Sequence, residues 1–579
     1  YYQHPEWVRQ YGDRWYLDPG LPQVQSSLLD SHTVAEKNSF HPTSYLVLAT
    51  LAGFLLGFGY PGYLPAPFLL FTAFVPLLIL QRRLRINGAS NKMVFFYGCH
   101  SFLLFNVLAT YWVTNTAFGP GLFAVTVNSF LMCIPWMLFH FATKSIPKVA
   151  YLSLPVYWIS FEWFHYNWEL NWPWLTLGNG FAQFPSLVQW YEYTGVLGGS
   201  LWIWLINLLI FFLLTLSSPE QSNRKFSLYT LGAILLPIVF SLIRYTTYSV
   251  PEGNTISVAV IQPNFEPHYE DNSSSRTVLD TFGQLTTAAL VDGPLDYVLY
   301  PEVSINGVVE DTPMDNRVLQ ALREQFQEQG LRYLVSGFDG YHIFAEGEPR
   351  TKAARTVKRR DGSQIQFEAI NGALQLDLRS GEVQTYRKGV FVPGAEQFPF
   401  RDVLWFAKPL VDALGGSVEG RATQEERTAL IGEKAKIAPV ICYESVFGEY
   451  FTDYIRAGAQ AAFVMTIDGW WDNTAGHRQH LWLSSMRAIE TRRAVARSAD
   501  VGACAFIDQR GKILSRTYYN EIGFLLGEVQ LNDKKTFYVR FGDYIARISA
   551  LLSIMLLLST LTKGRLGKKI VPGNNHDKS

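Results

Sequence analysis

Long apolar stretches fill the first part of the chain and recur once near its end. Between residues 43 and 243 they are separated by short polar connections, and they approach or reach the roughly 20 residues that a helix needs to cross a bilayer. The pattern predicts a multi-pass α-helical membrane bundle of about eight spans: Tyr45–Phe58, Leu64–Leu80, Met93–Val113, Gly121–Ala142, Val149–Phe164, Val196–Leu216, Leu228–Ile243 and Ile545–Leu561.

The pattern changes at residue 256, where short β-rich runs begin to alternate with helical stretches. This alternation predicts a layered α/β domain. In such domains, catalytic groups gather on the loops that follow the strands. The predicted strands are ISVAVIQ from 256, DYVLYPE from 296, RYLVSGF from 332, NGALQLDL from 371, KIAPVICYE from 436, AAFVMTID from 461 and ACAFID from 503.

These two patterns divide the chain into four parts. Residues 1–42 are polar and aromatic and form an N-terminal extension. Residues 43–248 hold transmembrane helices 1–7, residues 249–540 the α/β domain, and residues 541–579 a C-terminal transmembrane helix with a cytoplasmic tail.

Charge gives the orientation of this arrangement. The chain has 49 Lys plus Arg and 49 Asp plus Glu, so nothing in its net charge favours a nucleic-acid partner. Its basic residues cluster after the second, fourth, sixth and eighth spans, and basic short loops stay in the cytoplasm. We therefore expect both termini inside and the α/β domain outside. The clusters are Arg82, Arg83, Arg85 and Lys92; Lys144 and Lys148; Arg224 and Lys225; and Lys563, Arg565, Lys568 and Lys569.

Three residues with catalytic potential lie at predicted strand ends or turns. Glu302 follows VLYP, Lys388 lies in the turn after the strand from 371, and Cys442 ends VIC at the start of a helical stretch. Singly, each is more often a solvated or packing residue. Together they supply what acyl transfer through a thioester needs: a base, a stabilising cation and a thiol nucleophile. A helix starting at Cys442 would also favour its thiolate.

Several motifs carry a family resemblance. YPE at 300–302, YRKGVFVPGAEQFP at 386–399 and CYES at 442–445 resemble the nitrilase, or carbon-nitrogen hydrolase, superfamily with its Glu-Lys-Cys triad. NWPWLTLGNG at 171–180 and QWYEYTGVLGGSLW at 189–202 are similar to the apolipoprotein N-acyltransferase family within it. The resemblance implies a nitrilase-like α-β-β-α sandwich joined to a membrane bundle.

The resemblance also implies a reaction and its partners. An acyl chain would pass from a membrane phospholipid, through a cysteine thioester, to the N-terminal amine of a diacylated bacterial lipoprotein. Glu302 would be the general base, Lys388 the cationic stabiliser of the oxyanion and Cys442 the nucleophile. The enzyme would be a monomer in the bacterial inner membrane with its catalytic domain facing the periplasm, and it would need no cofactor.

The same resemblance assigns supporting residues. Glu396 would be the second glutamate beside the triad, and Tyr443 and Glu444 would bind substrate. The lysine motif departs from the family pattern K-x-H-L-V-P-F-G-E, because its histidine and Phe-Gly pair are absent here while the lysine-to-glutamate spacing survives. Glu162 lies where the family often has Glu-x-x-Arg, but the fourth residue is His165.

Further candidates keep two interpretations each. Glu162 lies at membrane depth and is either a substrate-site residue or a paired structural carboxylate. Trp470 and Trp471, and the segment Arg401–Glu433, are either substrate-contacting, membrane-touching loops or ordinary packing. His477 and His480 form an H-x-x-H pair without a third ligand nearby, so we expect no metal site.

Two other functions are compatible with parts of the pattern. A membrane-tethered amidase would use the same triad on small amides, although it would not need the large membrane bundle. A transporter or receptor would use the outer domain only to bind ligand, and Cys442 would then be dispensable.

Overall fold

The computed structural model of the chain describes residues 8–11, 14–17, 42–215, 220–250, 253–265, 275–359, 362–403, 406 and 420–569. Within the predicted N-terminal extension, two short strands, β1 (Val8–Tyr11) and β2 (Arg14–Leu17), pair antiparallel.

The apolar runs form helices, as predicted. Seven described helical segments are at least 18 residues long and apolar enough to cross a membrane. The fifth predicted span, Val149–Phe164, is the one not among these seven; it corresponds to a helix of 17 residues, Ala150–Tyr166, which is about 25 Å long at 1.5 Å per residue. The helices are α1 (Pro42–Gly59), α2 (Val75–Ile86, extended backwards by a 3-10 turn at Pro67–Phe71), α3 (Asn91–Thr110), α4 (Val113–Thr116), α5 (Phe118–Ser145), α6 (Ala150–Tyr166), α7 (Tyr191–Thr215), α8 (Glu220–Thr247) and, at the C-terminal end, α14 (Tyr544–Lys569).

Two sheets lie between α8 and α14. The first has the strand order β16-β3-β4-β6-β8-β7, with β5 added beside β6 and β9 beside β8, and the second runs β10-β11-β12-β13-β14-β15. Their strands are β3 (Thr255–Gln262), β4 (Leu295–Leu299), β5 (Ile305–Val309), β6 (Leu331–Ile343), β7 (Arg355–Lys358), β8 (Gln364–Asp377), β9 (Val383–Arg387), β10 (Leu430–Ile431), β11 (Lys436–Ile441), β12 (Ala461–Thr466), β13 (Val495–Ala499), β14 (Ala505–Ile507), β15 (Ile513–Arg516) and β16 (Gly523–Gln530).

The sheets pack face to face and helices cover their outer faces. Side chains of both sheets, such as Val258 and Val440, share one core, and Phe451 and Leu481 extend it to α11 (Gly448–Arg456) and α12 (Ala475–Thr491). A separate core joins the first sheet to α9 (Ser275–Ala289) and α10 (Arg317–Phe326). The predicted α-β-β-α sandwich is confirmed. A short helix, α13 (Phe537–Phe541), leads into α14.

Two local predictions at the candidate site are wrong. Lys388 does not lie in the turn after the strand from 371, because β9 intervenes and Lys388 follows that strand. Cys442 does not begin an α-helix. It begins a 3-10 turn, Cys442–Val446, and α11 begins only at Gly448. The expected contribution of an α-helix dipole to the Cys442 thiolate is therefore not supported by the local structure.

The sandwich rests on the bundle mainly through α12 and the residue after it. Arg492 donates to Glu192 of α7 at 2.8 Å, and Glu192 also binds Arg244 of α8. Gln479 accepts a hydrogen bond from the Trp174 indole and donates to the backbone carbonyl of Pro61. These buried polar contacts fix the angle between the two parts, because each partner lost would leave a polar group unpaired away from water.

Replacing Glu192 by Gln is expected to weaken this connection. Arg492 is 2 % exposed, and removing one partner of a buried ion pair costs about 3–5 kcal/mol. The purified Glu192→Gln protein should lose its monodisperse form several degrees below the unaltered protein when it is heated in detergent. As the control, Asp280→Asn removes the exposed pair with Arg276 on α9 and should change little. Equal losses in the two variants would contradict this interpretation.

Candidate active site

Glu302 lies on the loop after β4, with only 6 % of its surface exposed. Its Oε1 accepts hydrogen bonds from Asn371 Nδ2 and Lys388 Nζ, both at 2.9 Å. Gly337 of β6 permits this loop to come close, because a Cβ at that position would lie 2.5 Å from the Glu302 Cα. A larger residue at position 337 would push this loop away, so the observed position of the Glu302 carboxylate requires a glycine there.

Lys388 is almost completely buried, at 1 % exposure. Its ammonium lies 2.9 Å from Glu302 Oε1 and 2.8 Å from Glu396 Oε1. Burial alone would lower its pKa, but the two carboxylates outweigh burial and raise the pKa above its ordinary value. Lys388 is therefore a permanent cation at neutral pH.

Cys442 directly follows β11 and is 9 % exposed. Its φ is +47°, in the left-handed region, where a non-glycine residue costs about 1–3 kcal/mol unless its surroundings hold it. Burial and the Glu302 carboxylate raise the pKa of its thiol, and the Lys388 cation lowers it. Because the raising effects dominate, the thiol needs a base before it can attack.

Asn371 of β8 is a site residue that the sequence did not reveal. Its amide nitrogen donates to Glu302 at 2.9 Å and to Glu396 at 3.2 Å, so one side chain orients both carboxylates. The Glu396 Oε2 also accepts from the Val392 N–H, within its own loop. Asn371 lies in the middle of a strand in an apolar context, and no motif marks it.

Glu444 has a different setting from the substrate-binding one predicted for it. It is fully buried, and five donors surround its carboxylate at 2.6–3.0 Å. Those donors are the hydroxyls of Tyr386, Tyr450 and Tyr454 and the backbone N–H groups of Gly389 and Ile441. Because these backbone groups belong to the residues beside Lys388 and Cys442, Glu444 connects the segment of Lys388 to the segment of Cys442, and this placement favours a positioning role.

Tyr443 and the two tryptophans lie where the sandwich meets the bundle. The Tyr443 hydroxyl donates to the carbonyl of Asn171 at 2.9 Å. Trp471 packs its ring against Trp112 and Trp174, with centroids 4.9 and 5.5 Å apart. Trp470 is 37 % exposed. Trp471 therefore takes part in packing, as one of its two interpretations expects.

Glu162 lies away from the triad, inside the bundle. It is 4 % exposed, and its Oε1 accepts from Trp158 Nε1 at 3.0 Å and from the Leu177 N–H at 2.8 Å. Its Oε2 is also buried and has no hydrogen-bond partner among the described residues, so only one of the two oxygens has the partners that the structural interpretation expects. Much of the segment Arg401–Glu433, including Trp405, lies outside the described residues.

The arrangement supplies the parts of nucleophilic acyl transfer in one buried place. A thiol on a strained backbone lies within the electrostatic influence of a cation and two carboxylates. A carboxylate close to a buried thiol serves as a proton acceptor, and a fixed ammonium stabilises an oxyanion. Among the described residues, no group of three or more His, Cys, Asp or Glu side chains is placed to hold a metal ion.

Replacing Glu302 by Gln is expected to make Cys442 easier to ionise, although it removes the proposed base. The Glu302 carboxylate raises the thiol pKa and Lys388 lowers it, so loss of the negative charge should lower that pKa by at least about one unit. The rate of Cys442 alkylation by iodoacetamide, read by peptide mass as a function of pH, measures this shift.

Glu396→Gln is the matched comparison, since Glu396 raises the pKa of Cys442 less than Glu302 does. Its shift should be in the same direction and smaller. An unchanged or upward-shifted profile in Glu302→Gln would refute the electrostatic assignment.

Comparisons with solved structures return nitrilase-superfamily proteins. An amidase from Nesterenkonia sp. aligns with a TM-score of 0.33 at 17 % identity, covering 52 % of this chain and 98 % of its own. Saccharomyces cerevisiae Nit3, described as a member of branch 10 of the superfamily, aligns with a TM-score of 0.34 at 15 % identity, covering 49 % and 93 %.

Sequence comparisons cover both halves of the chain. Residues 52–209 match the apolipoprotein N-acyltransferase N-terminal domain, and residues 257–537 match the carbon-nitrogen hydrolase family. Apolipoprotein N-acyltransferase of Chlorobaculum tepidum is 28 % identical over 530 residues, which is 89 % of this chain and 96 % of that protein. The protein of the same name from Geobacter metallireducens is 26 % identical, covering 87 % and 93 %. The chain belongs to the apolipoprotein N-acyltransferase family, within the carbon-nitrogen hydrolase superfamily.

Proposed function

We propose that this protein transfers an acyl chain from a membrane phospholipid to the α-amino group of a diacylglyceryl-modified cysteine at the start of a bacterial lipoprotein. The observation that carries the proposal is the buried Lys388 ammonium held between Glu302 and Glu396, with Cys442 within its electrostatic influence. Family membership supplies the substrate class.

The first half-reaction charges the enzyme. Glu302 takes the thiol proton of Cys442, and the thiolate attacks an ester carbonyl of the phospholipid. Lys388 stabilises the oxyanion that forms. As the C–O bond to the glycerol breaks, the proton on Glu302 passes to the departing oxygen. The lysophospholipid leaves and Cys442 carries the acyl chain as a thioester.

In the second half-reaction, the acyl chain passes from Cys442 to the lipoprotein amine. The neutral amine of the lipoprotein attacks the thioester carbonyl, and Glu302 accepts the proton that the amine loses. The C–S bond breaks, the proton passes to the Cys442 sulfur, and the amide product leaves. Because the amine must outcompete water, the site has to be dry, and the burial of Cys442, Lys388 and Glu302 supports that requirement.

The membrane bundle has a thermodynamic role in this scheme. Both substrates are lipids, and drawing an acyl chain into water costs about 0.8 kcal/mol per CH₂. A sandwich held against the bundle by α12 receives the chains without that cost. In the proposed orientation, the basic connections α2–α3, α5–α6 and α7–α8 face the cytoplasm, and the sandwich lies at the periplasmic face of the inner membrane. We also propose that the protein works as a monomer.

The remaining predicted residues receive roles within this proposal. Tyr443 and Trp470 lie at the junction with the bundle, where substrates would approach, and we assign them to substrate binding. Trp471, which packs against Trp112 and Trp174, would hold that junction in place. Glu444 positions the catalytic segments. Glu162 stabilises the loop at Leu177 from inside the bundle.

Acyl transfer predicts a covalent enzyme intermediate. Incubation of the purified protein with a phospholipid of defined chains should add the mass of one acyl group to the peptide containing Cys442. Cys442→Ala should remain unmodified, and Lys388→Met should acylate at least about a hundredfold more slowly, because oxyanion stabilisation is lost. No adduct, together with ammonia release from small amides, would instead favour the tethered amidase. Lipoproteins that still gain their third acyl chain in cells whose sole copy is Cys442→Ser would favour a transporter or receptor.

The orientation has its own test. Glu346 lies on an exposed loop of the sandwich and Ser90 on an exposed connection between α2 and α3. Glu346→Cys should react with a membrane-impermeant maleimide in spheroplasts, and Ser90→Cys should react only after lysis. The unaltered protein, probed in parallel, gives the background from its own cysteines. The reverse pattern would place the sandwich in the cytoplasm.

A further inference from the structure

A buried hydroxyl lies within hydrogen-bond distance of the sulfur of the proposed nucleophile. β11 and β12 are parallel with Ile441 paired to Met465, so the next residues, Cys442 and Thr466, also face each other. The Thr466 Oγ1 lies 3.3 Å from Cys442 Sγ as a donor, and the side chain is fully buried. Thr466 thus contacts a reacting atom that the Glu-Lys-Cys scheme leaves without a hydrogen-bond donor of its own.

The same hydroxyl has a second acceptor. Thr466 Oγ1 lies 2.9 Å from Asp468 Oδ1. Asp468 also accepts from Arg497 Nη2 at 2.7 Å and lies 2.9 Å from His480 Nδ1, and it is fully buried. Burial opposes the ionisation of Asp468, but Arg497 and His480 lower its pKa below its ordinary value. Asp468 is therefore an anion that Arg497 and His480 contact in addition to Thr466.

His480 carries this chain of contacts back to the nucleophile. Its Nε2 lies 2.8 Å from Ser445 Oγ and 3.2 Å from the Cys442 carbonyl oxygen. The Ser445 hydroxyl donates to the same carbonyl at 2.7 Å. These contacts hold the carbonyl of a residue whose φ is +47°, and they explain how Cys442 keeps its left-handed conformation.

The hydroxyl of Thr466 has one proton and faces two acceptors. Donation to sulfur is worth most when Cys442 is a thiolate, because hydrogen bonds to charged groups are the stronger ones. Donation to Asp468 is favoured when the sulfur is a thioester, which accepts hydrogen bonds weakly. Asp468 tolerates losing this donor because Arg497 and His480 stay bound to it.

We propose that Thr466 is a further catalytic residue, whose hydroxyl donates to the Cys442 thiolate and turns back to Asp468 when the sulfur becomes acylated. The proton stays on Oγ throughout and only its acceptor changes. Arg497, Asp468 and His480 are positioning residues for it: they hold Thr466 on one side and the Cys442 carbonyl on the other. The step deepens the proposed function and rests on it only for the acyl-transfer readout.

The test separates this hydrogen bond from the other charges at the sulfur. Glu302, Lys388, Glu396 and Tyr443 also lie within electrostatic reach of Cys442, and they are unchanged in Thr466→Val. That substitution keeps the side-chain shape and removes the hydroxyl. We expect the pH profile of Cys442 alkylation to move upward by about one unit, and acyl-enzyme formation at neutral pH to slow about tenfold. Thr466→Ser should restore both.

Thr491→Val is the matched control. Thr491 is as buried as Thr466, and its hydroxyl donates to the Arg487 carbonyl of its own helix. Its loss should leave the pH profile in place. A Thr466→Val profile that superimposes on that of the unaltered protein, with all variants folded by gel filtration, would overturn the inference.

The alkylation profile and the acylation rate distinguish a wrong role for Thr466 from a wrong proposed function. If iodoacetamide reports the shift but phospholipid never acylates Cys442, Thr466 still activates the thiol and the proposed function is wrong. If acylation proceeds equally fast in Thr466→Val without any shift in the alkylation profile, the proposed function stands and the role of Thr466 is wrong.

Discussion

The burial of one ammonium group is the constraint on which the site depends. Lys388 has almost no contact with solvent, and a buried cation is tolerated only beside compensating charge. Glu302 and Glu396 supply that charge from two different loops, and Asn371 ties both carboxylates together. The requirement to neutralise Lys388 therefore determines where the proposed base lies. The same arrangement leaves the thiol of Cys442 between an attractive cation and repulsive anions.

The geometry of Cys442 comes from a second set of forces, behind the strand. Parallel pairing of β11 with β12 sets Thr466 opposite the sulfur, and Glu444 binds the backbone of Gly389 and Ile441 at once. Cys442, the proposed nucleophile, is thus held by the second sheet, whereas the charged groups that act on it follow strands of the first sheet. The candidate site needs residues from both sheets, so it forms only when the two sheets pack against each other.

The sequence was most informative where a residue's role depends on its immediate neighbours along the chain. Apolar runs and β-rich runs predicted the bundle and most of the central strands, and Glu302 and Cys442 were visible because each follows such a run. Asn371 and Thr466 were not visible, since their partners are fixed by sheet register between distant segments. The sequence indicates Lys388 as a candidate, but it does not indicate the strand that precedes it, because β9 is short and polar. The family resemblance implies a substrate-binding role for Glu444, and its sequence position beside Cys442 does not indicate the five donors that surround its carboxylate.

The contact between the sandwich and the bundle links the candidate active site to the membrane helices, so the geometry of the site depends on both parts of the protein. One side of α12 carries His480, which reaches the Cys442 carbonyl, and another carries Gln479, which binds Trp174 and Pro61 of the bundle. Adjacent residues of one helix therefore connect the nucleophile and the membrane helices. Because a helix is stiff over such a short distance, movement of the bundle against the sandwich would shift His480 with it. The membrane part thus helps to shape the candidate active site, in addition to the lipid-delivering role that we propose for it.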